Sequence, residues 1–587
     1  MRVQPARTDP QQGAKTSPAQ RRASTAASSA DDTLDDTTAA AEQAVSGTDP
    51  VGVPSLTGTL ADTAAVFSQF RALNREGGAL AAELAHILLG SSEITPDRKD
   101  WRFTDPAWSE NPVYRRVAQS YLASCGFLDA MVDERGKSGR PTYAARFLLN
   151  VLSSAAAPTN TLAGNPAALK RAFETGGGSL RRGVGNWWQD LRHNGGMPAT
   201  ADRGAFEVGR DLAITPGAVV DRDAYGEIIQ YQPVTEHVRK RPVLIVPPPI
   251  GRFYFLDLRP GRSFVEYAVS RGLQTFMVSW RNPTSEQAGW DLDDYARRVL
   301  SAIDTVRDVA GTPDIDVIGF CAGGIITTTV LNHLAAIGDP KVATVSYAVT
   351  LHDFGQPAPI SAFSSPKLLA LARRNSGRAG VISAQAMGAV FSWMRPNELV
   401  WNYWVNNYLM GNPPPVFDIL AWNADGTNLP AALHRQFLEI FQDNVLCQPG
   451  ATTVLGTPVD LSRITLPAYV TGGVTDHLTP WQGCYQTTQL LSGPATFVLS
   501  NAGHIQSLVN PPGNPKATYF AGGKPGPDPQ QWLAESGKVT GTWWEHWTEW
   551  LLEHSSDEVP APKKLGGGGH APGDQAPGLY VRDLLPA

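Results

Sequence analysis

At 587 residues the chain exceeds the roughly 100 to 200 residues usual for one domain, which predicts two folded regions with flanking segments. Hydrophobic residues make up 42% and aromatics 9%, enough for a large core, while a net charge of -6 lacks the basic excess that a nucleic-acid backbone or an anionic membrane demands. The four cysteines, Cys125, Cys321, Cys447 and Cys484, have neither metal-ligand nor redox spacing and are too few for a disulfide framework; a reducing cytoplasm suits them.

No apolar run of about 18 residues could span a bilayer, and the N-terminus has no signal-peptide core. Arg21-Arg22 is therefore not an export signal. Residues 1–55 are rich in Ala, Ser, Thr, Gln, Asp and Pro with few large apolar side chains, the composition of a disordered segment. The acidic cluster Asp31, Asp32, Asp35 and Asp36 argues against an organelle transit peptide. Residues 56–235 read as a helical domain that packs on a catalytic core or a partner subunit. Within it Asp105-Pro106-Ala107-Trp108 marks a turn with a large anchor, and Val113, Val117 and Tyr121 form one face of an amphipathic helix.

Residues 236–556 change texture. Val243-Leu244-Ile245-Val246 and Thr275 to Trp280 are continuous apolar runs. Leu292, Tyr295, Val299, Ile303 and Val306 then mark a helix entered at Asp291 as N-cap. Ile315 to Ile318 is a β-branched run leading into Gly319-Phe320-Cys321-Ala322-Gly323-Gly324, an apolar helix-like segment follows, and Ala343 to Val349 is the next strand. Apolar runs alternating with helices imply a parallel sheet covered on both faces, and this order of elements is that of an α/β-hydrolase core. The alternation stops over about 351–464, rich in Trp and Asn, where such folds insert a lid; its alternative is an oligomer interface. Pro467 to Gly473 and Ala495 to Leu499 resume the sheet, and Trp543, Trp544, Trp547 and Trp550 mark a closing helix. Residues 557–587, rich in Pro and Gly, read as a flexible tail.

The turn at Cys321 is the G-x-S-x-G nucleophile elbow with sulfur for oxygen, in its strand-before, helix-after context. Asp476 and His504 each follow a resumed strand, so Cys321, Asp476 and His504 occur in the chain order of an α/β-hydrolase triad. A thiol near pKa 8.5 needs a histidine to take its proton; Asp476 would hold the imidazole's tautomer and stabilise its cation. Asp353, after the strand ending near Thr350, is the second candidate acid. His477, His333 and His546 read as structural, and no histidine is placed to activate Cys447 or Cys484. The backbone N–H groups of Ala322 and of Ile250, in the Pro249-Ile250-Gly251 loop, are the expected oxyanion donors. Thiolate attack on a thioester is nearly thermoneutral and keeps the acyl group activated, so sulfur at the elbow points to acyl transfer from a thioester donor.

Asp105 to Pro112, Val278 to Pro283, Gly319 to Gly324, Trp401 to Tyr408, Phe417 to Asn423, Asp476-His477 and Gly503 to Ser507 together resemble the polyhydroxyalkanoate synthases of the long single-chain kind. The likeness runs from Trp101 to Trp550. Arg192 to Pro198 and Asn510 to Lys516 are most like members that accept medium-length side chains. The resemblance implies Cys321 as acyl carrier, His504 as base with Asp476 as its partner, and (R)-3-hydroxyacyl-CoA and the growing polyester as reactants. It implies no cofactor or metal, and a homodimer in the cytoplasm on the surface of polymer granules with their associated proteins. Two rivals stand beside it: a thioesterase or ester hydrolase on the same fold, and a non-catalytic granule-coat protein.

Overall fold

The computed structural model describes residues 70–133, 140–202, 204–355, 366–555 and 557–585; the segment 1–55 lies outside them. The core is a ten-stranded sheet. Its strands in chain order are β1 Gly217–Arg222, β2 Gly226–Tyr231, β3 Val243–Val246, β4 Thr275–Trp280, β5 Ile315–Phe320, β6 Val342–Ala348, β7 Ala468–Gly473, β8 Ala495–Ser500, β9 Thr518–Ala521 and β10 Gly537–Thr540. In space they run β1-β2-β4-β3-β5-β6-β7-β8-β9-β10. The six from β4 through β8 are parallel neighbours, and antiparallel pairs close both edges.

Sequence explains the middle of this sheet directly. All residues of β3, β4 and β5 are buried, as strands covered on both faces must be. On one side lie Leu292–Ala310, opened by reciprocal bonds between Asp291 and Asp294 and closed by Gly311 in a left-handed conformation, and the helix Ala322–Ile337. On the other side the closing helix Trp543–His554 buries Trp543, Trp544 and Trp547 against Phe264, and the Trp547 indole donates to Ser346 Oγ.

Three expectations change. The sheet begins at Gly217, inside the span read as helical, because β1 and β2 carry Asp221, Glu227 and Gln230 among their apolar residues and so lack an apolar-run signature. Val113 and Val117 of the helix Pro112–Asp133 are 67% and 38% exposed, and the inward face is instead Ala118 and Ala123 with Tyr121 beside them. Residues 557–585 are packed, not a loose tail: Glu558–Pro560 pairs antiparallel with His237–Arg239, and Gly573 and Ala576 donate backbone bonds to Val219 and Gly217 of β1. Glycine and proline leave little side chain to read, but their order here comes from main-chain bonds.

Between β6 and β7 sits the lid, with helices Pro366–Ala379, Ala384–Met394 and Ala431–Asp443 and two π-helical turns, Asn397–Trp401 and Trp404–Leu409. The N-terminal helix Gly178–His193 packs on the second of those turns. Asn186 Nδ2 donates to Asn407 O and Asn412 O, both at 2.9 Å, and Arg182 Nε to Gly411 O at 3.1 Å. Trp404 Nε1 donates to Asn160 O at 3.0 Å. The Asn- and Trp-rich lid sequence thus serves an interface within the chain. None of the described helices is long and apolar enough to cross a membrane.

Candidate active site

Cys321 stands between β5 and its following helix with φ 49° and ψ -121°. A non-glycine residue held there stores about 1–3 kcal/mol of strain, and persists only where its surroundings over-determine it. They do. A Cβ on Gly323 would lie 2.3 Å from Val246 O, and one on Gly324 would lie 2.2 Å from Thr350 Oγ1, so the turn can approach β3 and β6 only with hydrogen at both positions. Cys321 N–H donates to Ala348 O at 2.9 Å, and Thr350 Oγ1 donates to Cys321 O at 3.1 Å.

His504 begins a short helix after β8, and Asp476 lies in the turn after β7; parallel pairing of β7 with β8 brings the two turns side by side. His504 Nδ1 is 2.6 Å from Asp476 Oδ2. Asp476 Oδ1 accepts the N–H groups of Leu478 and Thr479, each at 2.9 Å, and Thr479 Oγ1 donates to Oδ2 at 2.6 Å and lies 3.0 Å from Nδ1. Burial opposes charge on both groups, yet the carboxylate is held below its ordinary range by the imidazolium and these donors. Against the same burial, the Asp476 charge and hydrogen bond, with a contribution from Cys321, push His504 up to about 10. Nδ1 is committed to Asp476, and a side-chain hydrogen bond with Cys321 also favours the charged ring.

The structure therefore brings Cys321, Asp476 and His504 together at 7%, 6% and 1% exposure. Asp353 is elsewhere, accepting from Asn444 Nδ2 and Gly355 N–H. Burial lowers His477 to about 4 and keeps it neutral. His546 bonds Tyr469 and His333 bonds Thr457. Burial raises the other two nearby thiols, Cys447 to about 12 and Cys484 well above its ordinary value. Ala322 is the first residue of the elbow helix. Ile250 is buried in the loop that leaves β3, whose Val246 and Pro247 carbonyls touch Gly323.

Thr479 is the site residue that motif reading missed; its signal was the Asp-x-x-Thr spacing after Asp476, in which a hydroxyl folds back onto the carboxylate. The expected lid was not resolved into the particular residues that cover Cys321. The cavity there is lined by Cys321, Ala322, Ile325, Leu351, Phe354, Leu478 and Thr479 and roofed by Phe437, Ile440 and Phe441 of the lid helix Ala431–Asp443. A buried nucleophile, an acid-held imidazolium and an apolar roof suit acyl transfer with an aliphatic acyl group.

Comparison with known proteins agrees. Residues 99–268 match the family described as the N-terminus of poly-beta-hydroxybutyrate polymerase, and residues 260–511 match the alpha/beta hydrolase fold. Poly(3-hydroxyalkanoate) polymerase 1 of Ectopseudomonas oleovorans is 46% identical over 85% of this chain and 89% of its own, and polymerase 2 of that organism is 44% identical over 86% and 90%. The poly(3-hydroxyalkanoate) polymerase subunit of Cupriavidus necator is 40% identical over 84% of this chain and 85% of its own. Identity of this degree, across the helical layer, the sheet and the lid alike, makes the chain a member of the poly(3-hydroxyalkanoate) polymerase family.

Proposed function

We propose that Cys321 carries the acyl group while the enzyme transfers (R)-3-hydroxyacyl units from CoA thioesters to a growing polyester. The observation that carries this reading is a sulfur nucleophile at the elbow beside an imidazole whose far nitrogen is bonded to a buried carboxylate. His504 holds the Cys321 proton as an imidazolium paired with Asp476, and the thiolate attacks the thioester carbonyl. The oxyanion that develops is held by the N–H groups of Ala322 and Ile250. As it collapses, the bond to the CoA sulfur breaks, and the imidazolium returns its proton to that sulfur as free CoA leaves. His504, neutral again, removes the proton from the 3-hydroxyl of another unit, with Asp476 stabilising the cation. The alkoxide attacks the Cys321 thioester, an ester forms, and the enzyme sulfur is released. The acyl group arrives activated, so the sequence of steps balances without a cofactor.

The apolar roof supports transfer over hydrolysis, since water reaching the acyl-enzyme would end the chain as free acid. Incubation with (R)-3-hydroxyacyl-CoA tests the reading: CoA release should accompany insoluble polyester, and soluble hydroxy acid in its place would assign a thioesterase. Family membership also supports a homodimer at the surface of cytoplasmic polymer granules. Sedimentation at increasing protein concentration and co-isolation with granules check those two points.

A further inference from the structure

Arg252 follows the Pro249-Ile250-Gly251 loop directly, and its side chain is 5% exposed. A buried guanidinium must find acceptors, and they come from two directions. Asp583, near the C-terminal end, grips it with both oxygens, Oδ1 from Nη1 at 3.1 Å and Oδ2 from Nη2 at 2.6 Å, and Tyr580 O accepts from Nη1 at 3.2 Å. From the lid, Asp425 Oδ1 accepts from Nε at 3.4 Å. The lid also holds the main chain of the same loop: the Trp422 indole donates to Arg252 O at 2.7 Å, and Gly251 N–H donates to Thr427 Oγ1 at 2.7 Å.

The C-terminal segment is itself well anchored. The buried Glu227 carboxylate accepts the N–H groups of Leu579 and Tyr580, each at 3.1 Å. Tyr580 OH donates to Asp223 O at 2.6 Å, and Arg222 pairs with Asp574 at 2.5 Å. These bonds run from the first two strands of the sheet and the turn between them. Asp583 is thus the end of a strap that reaches from β1 and β2 to the loop beside the elbow.

We propose that Asp583 is a positioning residue for acyl transfer: through Arg252 it fixes the loop that presents the Ile250 N–H to the developing oxyanion. This rests on the oxyanion assignment made above. Bidentate Arg–carboxylate pairing fixes orientation as well as distance, which a backbone donor needs if it is to meet an oxyanion at 2.7–3.1 Å.

The test compares wild type with Asp583→Ala and Asp583→Glu in the full chain by three reactions of Cys321. These are acylation by (R)-3-hydroxyacyl-CoA, burst acylation by p-nitrophenyl acetate, and alkylation by iodoacetamide. Alkylation displaces iodide from a saturated carbon and forms no oxyanion, so it reports the sulfur and His504 alone. Losing one oxyanion donor outright lowers turnover by about 10²–10³-fold, so a donor left loosely placed should lower both acylations by about 10- to 100-fold in kcat. KM and the alkylation rate should stay within about 2-fold, since the lost interaction exists only in the transition state. Asp583→Glu should recover most of the acylation. Acylation unchanged in Asp583→Ala, or alkylation falling in parallel with it, overturns the proposal. A wild type acylated by the ester but releasing no CoA from the thioester would sink the proposed function, while the ester and alkylation arms still judge Asp583.

Discussion

The elbow and the lid meet above Cys321, but different forces hold them. Around the elbow the chain is close-packed: Val317, Ile318 and Phe320 of β5 are all at most 2% exposed, and the buried polar side chains bond within that packing, as Thr328 Oγ1 lies 2.7 Å from His352 Nε2 and Thr350 Oγ1 donates to Cys321 O. The lid is joined to the N-terminal layer through side chains reaching main-chain carbonyls, as Asn186 reaches Asn407 and Asn412. Asn407 O, in the last turn of the π helix Trp404–Leu409, is open to such a donor, as the last carbonyls of a helix are. The first kind of contact fixes one geometry; the second can be broken and remade a bond at a time. Cys321 thus lies among packed side chains, while the π turns of the lid meet the N-terminal layer through hydrogen bonds.

The sharpest way to break this comparison is at the sulfur. Cys321→Ala should abolish CoA release and polymer formation together, by roughly 10⁴-fold or more given what removing a nucleophile does elsewhere, with the melting temperature near wild type. Polymer made at the wild-type rate by this variant would move the reaction away from the elbow. Asp476→Asn comes next. An amide at 476 can present N–H to His504 Nδ1, which favours the wrong tautomer, and turnover should fall by about 10²–10⁴-fold. A loss under about 5-fold would mean that some other group orients the imidazole.

The same contrast explains what could be read in the sequence. The elbow was legible because its requirements are local: a β-branched run, glycines at the two positions that touch β3 and Thr350, and an apolar helix. The candidate triad was legible because Asp476 and His504 each follow shortly after a resumed strand, β7 and β8. The strands β1 and β2 were not, since the burial of Glu227 depends on partners brought together by the fold: Arg222 beside it and two N–H groups from the C-terminal segment, 352 residues on. Nor was Phe437 or Phe441 legible as roof, because any amphipathic helix carries such residues and only the chain's return over Cys321 gives them that use.

Acid acts on both regions by a smaller effect. Burial lowers His352, beside the elbow helix, to about 3, and burial with the nearby Arg373 lowers His434, in the lid, to about 4. Their ordinary value is near 6.5, so the unfolded chain binds more protons as pH falls below that, and the folded state loses stability toward pH 4, on the order of a few kcal/mol in all. His504 has the opposite sign. Its raised value means that its pairing with Asp476 contributes fully below about 6.5 and is lost as pH rises through about 10. Denaturant midpoints across this range should trace a plateau falling off on both sides. A midpoint unchanged down to about pH 4.5 would show that the buried histidines are reached by water.

The smallest effect is also the most selective. Tyr408 OH donates to Asp190 Oδ2 at 2.8 Å, the oxygen that also accepts Ala199 N–H at 3.0 Å, and it ties the second π turn of the lid to the helix Gly178–His193. Tyr408→Phe removes the hydroxyl while keeping the ring that packs on Trp404. It leaves a buried carboxylate short of one donor, a loss of about 1–3 kcal/mol. Because the elbow makes none of these bonds, alkylation of Cys321 should proceed at the wild-type rate while hydrogen exchange across 397–412 quickens. Exchange that stays as slow as in wild type would mean the lid is held by its aromatic contacts, and the division between a packed region and a bonded one would then have to be redrawn at Trp404.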